Sequence, residues 1–460
     1  MIISEIRYNQ VFERLRFDAE FYKPEYVAAE EVVKRLASTR MVGDLAESIV
    51  NGVEIREYVP EGIPYLRVGD MKEVFIDLSK VSKVRVNSIV LKDIELREGD
   101  LLFSRSGTLG IICIVTPEIK SSIISSHLIR VRLNQISSFY AVTFFNCKYG
   151  RYQILRRNNG AVVPEIDQPS LKTILIPIPS LSFQQKIESL VKESYKKRKE
   201  ADERYKSAEA LLSKTLGIEN LELKDEKIFE ARFDEVESGQ RLDADFYKPI
   251  FVLSLNILKN GKKKGIFSVK KLGEIAKISK GIEVGSDAYV DDGKLFLRVS
   301  NITEKEIIIS DSAEYIRENL FNELKAKYQP MPGEILYTKD ATVGIAFPIS
   351  EDFNDAIISG GIIRIKPHNN LNQYYLALVL NSILCRSQAE RHSIGAVIKH
   401  YTYSKIKDLL VPIIPPEKQS QISDLVKQSF ALRKEAKELL EKAKKEVEGF
   451  IEKNNNHNRH

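Results

Sequence analysis

The histidine, cysteine and serine residues are the first candidates for catalytic or metal-binding chemistry. The six histidines lack the short spacings of a metal site, and the three cysteines are odd in number and far apart. Ser126 and His127 could belong to a catalytic triad, but the pair is not repeated in the second half of the chain. Glycine-rich nucleotide loops and amino-methyltransferase motifs are absent from the sequence. These observations predict a binding protein rather than an enzyme, with no metal or cofactor of its own.

The composition is typical of a soluble protein with more than one domain. The chain has 460 residues, 43% of them hydrophobic, which is enough for a core in each of two domains. No apolar run approaches the length of a membrane span, and the N-terminus does not resemble a signal peptide, so a cytoplasmic location is expected. The net charge of +6 permits binding to nucleic acid without requiring it.

The sequence contains a long internal repeat. Gly160-Ala161-Val162 returns as Gly395-Ala396-Val397, and Ile176-Pro177-Ile178 returns as Val411-Pro412-Ile413, at one constant spacing. This spacing is close to half of the chain, so the polypeptide should form two similar units. Two such units would present related surfaces to a partner with two-fold symmetry, and duplex DNA is a partner of that kind.

The repeat can be followed towards the N-terminus with a slightly shorter spacing. Residues 14–24 return as residues 241–249, and Leu66-Arg67-Val68 returns as Leu297-Arg298-Val299. The extra residues of the second half are most simply placed in a loop at 259–265, because loops tolerate insertions. The matched stretches are therefore predicted as a common scaffold, and the unmatched stretches are free to differ.

Each half is predicted to contain a globular domain followed by a long helix. Residues 1–180 and 219–415 mix short β-branched runs with turn signals, which predicts two similar domains of the α/β (α+β) class. Residues 181–218 and 416–454 are rich in Lys and Glu and carry apolar residues at helical spacing, which predicts two long helices. Residues 455–460 have the composition of a disordered tail.

The two predicted helices carry matching seams of residues at steps of four and three. Each seam includes a Ser and an Arg where an apolar residue would be usual, and polar seam residues fix register or partner. One hypothesis is a spacer that also docks other subunits; the alternative is a coiled coil that only holds the halves together. The seam positions are Ile187, Val191, Ser194, Arg198, Ala201, Tyr205, Ala208 and Leu212 in the first helix, and Ile422, Val426, Ser429, Arg433, Ala436, Leu440, Ala443 and Val447 in the second.

Three features resemble the specificity (S) subunit of Type I restriction-modification enzymes. They are the Arg-Leu-x-x-Asp-Ala-Glu-Phe-Tyr-Lys-Pro opening at 14–24, the Gly-Asp-Leu-Leu-Phe-Ser-Arg-Ser-Gly-Thr segment at 99–108, and the proline-rich junction before each predicted helix. The second half departs from the pattern at Lys339-Asp340-Ala341-Thr342 and at Gly333-Glu334, and the first junction departs at 180–183. Both departures keep turn or helix character, so they concern loop contacts more than the fold.

The resemblance implies two target-recognition domains, each of which reads one half of a split DNA sequence. It implies that two long antiparallel helices join these domains as a coiled coil, giving the chain an internal pseudo-two-fold repeat. The implied partners are double-stranded DNA, bound sequence-specifically at a bipartite site, two methyltransferase (M) subunits and, in some complexes, restriction (R) subunits. AdoMet, ATP and Mg²⁺ belong to those partners, so this chain is expected to be non-catalytic and to bind no cofactor.

A protein that reads split DNA needs cations for phosphates and polar side chains for base edges. Shared positions such as Arg67 and Arg298 are predicted to do a common job, whereas residues 156–159 and 391–393 differ and are better candidates for reading sequence. The run Lys262-Lys263-Lys264 is a candidate phosphate arm. The predicted DNA-binding residues are Arg67, Arg105, Ser106, Thr108, Arg151, Arg156, Arg157, Asn158, Asn159, Arg298, Asn301, Lys339, Thr342, Arg386, Arg391, His392 and Lys399, and the predicted seam and docking residues are Ser194, Arg198, Ser429 and Arg433.

Two other classes of protein fit part of the sequence. One is the recognition part of a fused DNA methyltransferase-like enzyme, which the missing methyltransferase motifs oppose and AdoMet bound to the purified chain would support. The other is a non-enzymatic coiled-coil scaffold for protein or RNA. Salt-sensitive, bipartite protection of duplex DNA would exclude that scaffold.

Overall fold

The chain folds into two compact units, each of which includes half of each long helix. The computed structural model describes residues 16–78, 81–86, 94–160, 162–219, 221, 228–309, 313–350, 355–368, 371–395 and 399–457. Unit 1 is Met1–Arg198 with Lys434–His460, and unit 2 is Lys199–Arg433. Both units combine helices with mainly antiparallel sheets, so the α+β class predicted from the sequence is confirmed.

The globular part of unit 1 is built on short strands. They are β1 (Thr39–Met41), β2 (Ala46–Asn51), β3 (Ile63–Leu66), β4 (Ser82–Val84), β5 (Leu101–Ser104), β6 (Ile112–Ile114), β7 (Ile123–Ile124), β8 (Leu128–Leu133) and β9 (Leu175–Pro177). Within the described residues, an antiparallel sheet has the order β2-β8-β5-β6 and a second sheet has the order β4-β3-β7, while β1 pairs with β9. All four residues of β5 are buried, as a continuous apolar run predicts for a central strand.

Unit 2 repeats this arrangement with one further strand. Its strands are β10 (Ser268–Lys271), β11 (Ala276–Lys280), β12 (Tyr289–Val290), β13 (Lys294–Leu297), β14 (Glu314–Ile316), β15 (Ile335–Thr338), β16 (Ala346–Pro348), β17 (Ala356–Ile358), β18 (Ile362–Pro367) and β19 (Leu410–Ile413). In the part of the unit that the structure describes, the sheets have the orders β11-β18-β15-β16, β12-β14-β13-β17 and β10-β19. The extra strand β12 lies at the edge of the second sheet, where an addition leaves the other pairings unchanged.

The helices begin at residues that favour a helix N-terminus. Proline opens α1 and α8, where its missing N–H is not needed, and the Asp167 carboxylate accepts from the backbone N–H of Ser170 at 2.8 Å to cap α5. The helices are α1 (Pro24–Lys34), α2 (Val42–Leu45), α3 (Ser138–Asn146), α4 (Lys148–Arg156), α5 (Gln168–Lys172), α6 (Leu181–Leu216), α7 (Phe233–Gly239), α8 (Pro249–Lys263), α9 (Leu272–Ile275), α10 (Glu318–Tyr328), α11 (Gln373–Asn381), α12 (Ile383–His392), α13 (Tyr403–Lys407) and α14 (Pro416–His457).

The extra residues of the second half lengthen a helix and do not form the predicted loop. Helix α8 has 15 residues and its counterpart α1 has 11, and α8 continues to Lys263. Gly261 allows this extension, because a Cβ there would lie 2.1 Å from the Phe267 ring. Residues 259–263 of the predicted loop are therefore the last turn of α8, and Lys264 and Gly265 form the turn that follows, so the exposed lysines lie near the carboxyl end of the helix dipole.

The two long helices, α6 and α14, pack antiparallel in unit 1. Lys186 forms an ion pair of 2.8 Å with Glu446, and further along α6 the hydroxyl of Ser194 donates to the carbonyl of Ala436 at 2.7 Å. Partner numbers fall along α14 as they rise along α6, which is the antiparallel order that the resemblance implied. Val191 and Val447 belong to the same buried core as the sheet residues, so the helices are part of the core of unit 1.

The same helices pack in the same manner in unit 2. The hydroxyl of Ser429 donates to the carbonyl of Ala201 at 2.7 Å, and the ring of Tyr205 meets that of Phe430 edge to face. The seam residues Ile422 and Tyr205 join the buried core of this unit. Fourteen of the sixteen predicted seam positions are buried, which confirms the helical phase predicted from the sequence.

The C-terminal part of α14 extends into the segment predicted as a disordered tail. The helix continues to His457, and residues 458–460 lie outside the described part of the chain. Among the described residues, no helix has the length and apolar character needed to cross a membrane. The same residues contain no group of three His, Cys, Asp or Glu side chains that could hold a metal ion.

Candidate nucleic-acid interface

In unit 1, the carboxyl ends of several strands meet at one edge. Strands β3 and β7 run parallel with Leu66 opposite Ile124, so the residues that follow the two strands emerge together. Arg105 follows β5, and its backbone N–H donates to the carbonyl of His127 at 2.8 Å. We call this surface the strand-end face of unit 1. It places polar loop residues on a rigid sheet, which is a common arrangement for binding sites.

Two carboxylates lie on the strand-end face of unit 1 with fixed partners. The hydroxyl of Ser126 donates to Glu54 at 2.7 Å, and Arg56 Nε is 3.4 Å from the same carboxylate. The Ser126 hydrogen bond, followed by that from Arg56, lowers the pKa of Glu54. Arg105 Nη2 lies 2.7 Å from Glu165, and its Nη1 donates to the carbonyl of Ser126 at 3.3 Å. The face therefore presents negative charge as well as positive charge.

The loop after β5 is held against the segment that contains Glu165. Ser106 and Glu165 form an isolated antiparallel bridge, and the N–H of Gly107 donates to the carbonyl of Pro164 at 3.0 Å. Gly107 has a φ of +93°, a conformation that glycine adopts without strain. Thr108, next in the loop, is exposed. The loop is thus anchored by backbone bonds and leaves its side chains accessible.

Unit 2 builds an equivalent strand-end face from the same topology. Strands β13 and β17 run parallel with Leu297 opposite Ile358, and the N–H of Lys339 donates to the carbonyl of Gly361 at 2.9 Å. The N–H of Ala341 donates to the carbonyl of Lys399 at 2.9 Å, and this bond corresponds to the one from the N–H of Gly107 to the carbonyl of Pro164 in unit 1. The frame of the face is therefore the same in both units.

The side chains on the strand-end face of unit 2 differ from those of unit 1. Lys339 Nζ lies 2.5 Å from Asp340, and His400 Nδ1 lies 2.8 Å from the other oxygen of that carboxylate. Asp340 and His400 form the backbone bridge that Ser106 and Glu165 form in unit 1. An open recess of about 360 Å³ beside them is lined by Lys280, Lys339, Asp340, His400, Tyr401, Thr402 and Tyr403.

The predicted DNA-binding residues fall into three groups by exposure. The exposed ones are Thr108, Asn159, Arg298, Thr342 and Lys399. The half-buried ones are Arg67, Arg105, Ser106, Arg151, Asn158, Lys339, Arg386, Arg391 and His392. The buried ones are Arg156, Arg157 and Asn301. Arg105, Ser106 and Thr108 are brought together on one strand-end face, and Lys339, Thr342 and Lys399 are brought together on the other.

Arg156 and Arg157 are structural residues, which corrects their prediction as sequence readers. Arg156 is 7% exposed and Arg157 is 5% exposed, and their guanidinium groups lie 3.1 and 2.9 Å from the carboxylate of Glu30. Arg156 also lies over the ring of Phe21, 4.3 Å from its centroid. Two arginines sharing one buried carboxylate are not available to a DNA base.

Arg391 and His392, the counterparts of this pair, also serve the interior of their unit. Arg391 lies over the ring of Phe246 at 4.3 Å, which repeats the contact between Arg156 and Phe21. Burial, followed by the positive charges of Lys405 and Arg391, lowers the pKa of His392 to about 4. Position 391 therefore belongs to the common scaffold, contrary to its prediction as a residue that differs in function between the halves.

Three further predicted contacts have other partners in the structure. Asn301 is buried, and its side chain accepts from the N–H of Arg298 and donates to the carbonyl of Ile308, both at 2.8 Å. Arg386 forms an ion pair with Glu304. Asn158 accepts through its side chain from the N–H groups of Gly160 and Glu165, at 3.0 and 2.9 Å. These side chains shape the loops, and Asn301, which is 5% exposed, is buried beneath the surface that DNA would contact.

The seam residues predicted to dock other subunits are divided by burial. Ser194 and Ser429 are 0% exposed and join the two long helices, which confirms their place in the seam, while a docking role for them stays a prediction. Arg433 forms an ion pair with Asp202, and Arg198 is half-buried. These two arginines lie at the edge of the seam, where part of each side chain remains accessible.

Sequence reasoning missed the acidic residues of the strand-end faces and His400. Glu54, Glu165 and Asp340 escaped because a search for DNA contacts favours cations. The repeat carried a usable signal, since Glu165 and His400 lie at the same spacing as the repeated Gly160 and Gly395. Aligning the two halves of the chain would have selected such positions, because they are exposed and carry different residues within a matched segment.

Comparison with known proteins links the chain to one family. A family model described as the Type I restriction modification DNA specificity domain matches residues 38–203 and 266–446. The putative type I restriction enzyme MjaX specificity subunit of Methanocaldococcus jannaschii is 23% identical, over 94% of this chain and 97% of the relative. The MjaIX specificity subunit of the same organism is also 23% identical, over 88% of each chain. The S subunit of a Type-I system from M. genitalium matches with 12% identity and a TM-score of 0.35, over 91% of this chain and 94% of that one.

Proposed function

Since the chain belongs to the family of Type I restriction-modification specificity subunits, we propose that it is the non-catalytic DNA-recognition subunit of such a complex. Each unit reads one half of a bipartite target in double-stranded DNA. The observation that carries this proposal is the pair of strand-end faces, which share one frame and differ in their exposed side chains. A duplicated frame with two different surfaces fits two different half-sites, whereas identical surfaces would fit a palindrome.

The strand-end faces offer the two kinds of group that DNA recognition requires. Arg56 and Arg298 have side chains that are 87% and 55% exposed, so they can reach phosphates. Thr108 and Thr342 are exposed on the anchored loops and can donate to or accept from base edges. Anchored loops limit the entropy lost on binding, because their backbone is ordered before DNA arrives.

The long helices are proposed to set the separation of the half-sites and to dock two methyltransferase subunits, with restriction subunits in some assemblies. An open groove of about 870 Å³ lies along α14 in unit 1, with Phe183 and Phe450 among its lining residues. Their rings are 4.9 Å apart and only partly buried, and lysines and glutamates surround them. An aromatic centre with a charged rim is typical of a protein interface.

Footprinting of duplex DNA by the chain in complex with its methyltransferase tests the recognition role. The target is first identified by mapping methylated bases in cells that express both proteins. We expect two protected patches separated by an unprotected gap, and binding that weakens steeply as salt rises. Equal protection of unrelated sequences would contradict sequence-specific recognition. A single protected patch would contradict the assignment of one half-site to each unit.

A matched insertion in both long helices tests their role as a spacer. Adding seven residues to α6 and to α14 at facing positions keeps the heptad phase and lengthens each helix by about 10 Å. The unread gap of the methylated target should then become longer while both half-sites stay the same. The same insertion in α6 alone is the control, and it should destabilise the protein because the seams no longer match. A gap of unchanged length in the double insertion would contradict the spacer role.

A further inference from the structure

Glu165 in unit 1 and His400 in unit 2 occupy equivalent places but have different chemistry. Each forms an antiparallel backbone bridge with the loop after the central strand, to Ser106 and Asp340 respectively. Their side chains are 41% and 55% exposed, so both can be reached by a ligand on the strand-end face. A difference at one fixed position within a common frame is what two readers of different sequences require.

The ionised carboxylate of Glu165 only accepts hydrogen bonds, so its partner in a ligand must be a donor. Arg105 holds one of its oxygens at 2.7 Å, and a carboxylate has about four acceptor positions, so others can serve a ligand. In the major groove an acceptor pairs with the exocyclic amino group of cytosine or adenine, whereas guanine and thymine oxygens repel it. A carboxylate is also repelled by phosphates, so its presence on a DNA-binding face favours base contact over backbone contact.

The imidazole of His400 presents Nε2, and its hydrogen-bonding role depends on protonation. Its Nδ1 lies 2.8 Å from Asp340, and since a carboxylate accepts, Nδ1 carries a proton in either charge state. Nε2 is then an acceptor in the neutral ring and a donor in the imidazolium. The charged and titratable groups that share the recess are Lys280, Lys339, Asp340, Tyr401 and Tyr403.

We propose that this one position sets the base preference of each unit. Glu165 requires an exocyclic amino group in the first half-site at every pH where the carboxylate is ionised. Neutral His400 accepts from an amino group in the second half-site, and protonated His400 donates to guanine O6 or N7 instead. This inference rests on the proposed function and deepens it. It implies that the base preference of unit 2 follows the protonation state of the His400 ring, while unit 1 has no such dependence.

Binding selections on the complex with the methyltransferase test the proposal. Duplexes randomised in one half-site at a time are selected at pH 6 and pH 8 and sequenced. Glu165→Gln keeps the shape of the side chain and adds a donor, so it should reduce the preference for an amino-bearing base at one position of the first half-site by about 10-fold. His400→Gln should abolish the pH dependence of the second half-site. The matched controls are Glu25→Gln and His368→Gln, which change the same groups at exposed positions outside the strand-end faces.

The outcomes separate this inference from the proposed function. Equal weakening of all sequences by Glu165→Gln would overturn the assignment of Glu165 as a base reader. A second half-site with the same preference at both pH values would overturn the role of His400. Loss of sequence preference in the unmodified complex would overturn the proposed function itself, and this inference with it. Circular dichroism of each variant confirms that the fold is retained before binding is compared.

Discussion

The junction between the last strand and the long helix that follows it, β9 to α6 in unit 1 and β19 to α14 in unit 2, is the same in both units. The exposed strand-end faces, in contrast, differ. Tyr140 and Tyr375 donate to the carbonyls of Pro177 and Pro412, at 3.0 and 2.9 Å. On the faces, by contrast, an Arg–Glu pair in unit 1 is replaced by a Lys–Asp–His cluster in unit 2. A buried hydrogen bond that loses its partner costs about 1 to 3 kcal/mol, so the frame tolerates little change. Exposed contacts carry a smaller cost and can diverge.

The buried arginine sites show a second, subtler difference between the units. Gln153 and Gln388 make the same pair of backbone hydrogen bonds, to Leu175 and Leu410. Four residues further, at the C-terminal cap of α4, Arg157 binds the buried carboxylate of Glu30, whereas the corresponding residue, the last of α12, is His392. Unit 1 therefore uses a buried ion pair where unit 2 uses a partly buried imidazole.

Replacing Glu30 should have the largest effect and should act on unit 1. Glu30→Leu leaves the buried guanidinium groups of Arg156 and Arg157 without their shared carboxylate, so we expect a loss of about 3 to 5 kcal/mol in the free energy of unfolding. Hydrogen exchange with mass spectrometry locates the loss in peptides of unit 1. The double variant Glu30→Leu with Arg157→His imitates the arrangement of unit 2 and should recover part of it. A loss below about 1 kcal/mol would contradict the claim that this ion pair stabilises unit 1.

Acid should destabilise unit 2 through His392. The folded pKa of about 4 lies below the ordinary value of 6.5, so the unfolded chain binds a proton more readily and stability falls as pH drops from about 6.5 towards 4. Since the side chain is partly exposed, the loss at pH 4.5 relative to pH 7 should be about 1 to 2 kcal/mol. Hydrogen exchange in residues 383–392 measures it. His392→Gln should remove this part of the pH dependence of stability. A variant with the same pH profile of stability as the unmodified protein would contradict the role of His392.

The two interhelical serines should contribute equally. Ser194→Ala and Ser429→Ala each delete one buried hydrogen bond, to Ala436 and Ala201 respectively, and should each cost about 1 kcal/mol in denaturant unfolding. Ser207→Ala on the exposed side of α6 is the control and should have a smaller effect. Strongly unequal losses of unfolding free energy in the Ser194 and Ser429 variants would contradict the claim that the helix pair is equivalent in the two units.

The smallest effects should come from the loops after the central strands, with opposite signs. Ala341 has a φ of +57°, whereas Gly107 holds the equivalent place in unit 1 with a φ of +93°. Ala341→Gly should therefore stabilise unit 2 by about 0.5 to 1 kcal/mol, and Gly107→Ala should destabilise unit 1 by about 1 kcal/mol. Thermal unfolding of both variants measures the changes. Destabilisation by Ala341→Gly would mean that flexibility gained in the unfolded chain outweighs the strain relieved in the folded loop.

The repeated frame was predictable from the sequence, but the role of individual polar residues was not. Helical phase follows from apolar spacing, so Ile187 and Val191 were correctly placed in the seam. Arg156 was misassigned because its partner, Glu30, is distant in sequence and nothing local marks the pair as buried. His400 was missed because its importance depends on Asp340, which only the fold brings to 2.8 Å. Tertiary contacts thus decide which charges are structural.

The most direct test of the account exchanges one unit and maps the methylated target. Residues 1–180 are replaced by the equivalent segment of a relative with a different target, and the chimera is expressed with its methyltransferase partner. Genome-wide methylation mapping should show that one half-site has changed, while the other half-site and the length of the gap remain. A change in both half-sites, or in neither, would contradict the claim that each unit reads one half of the target.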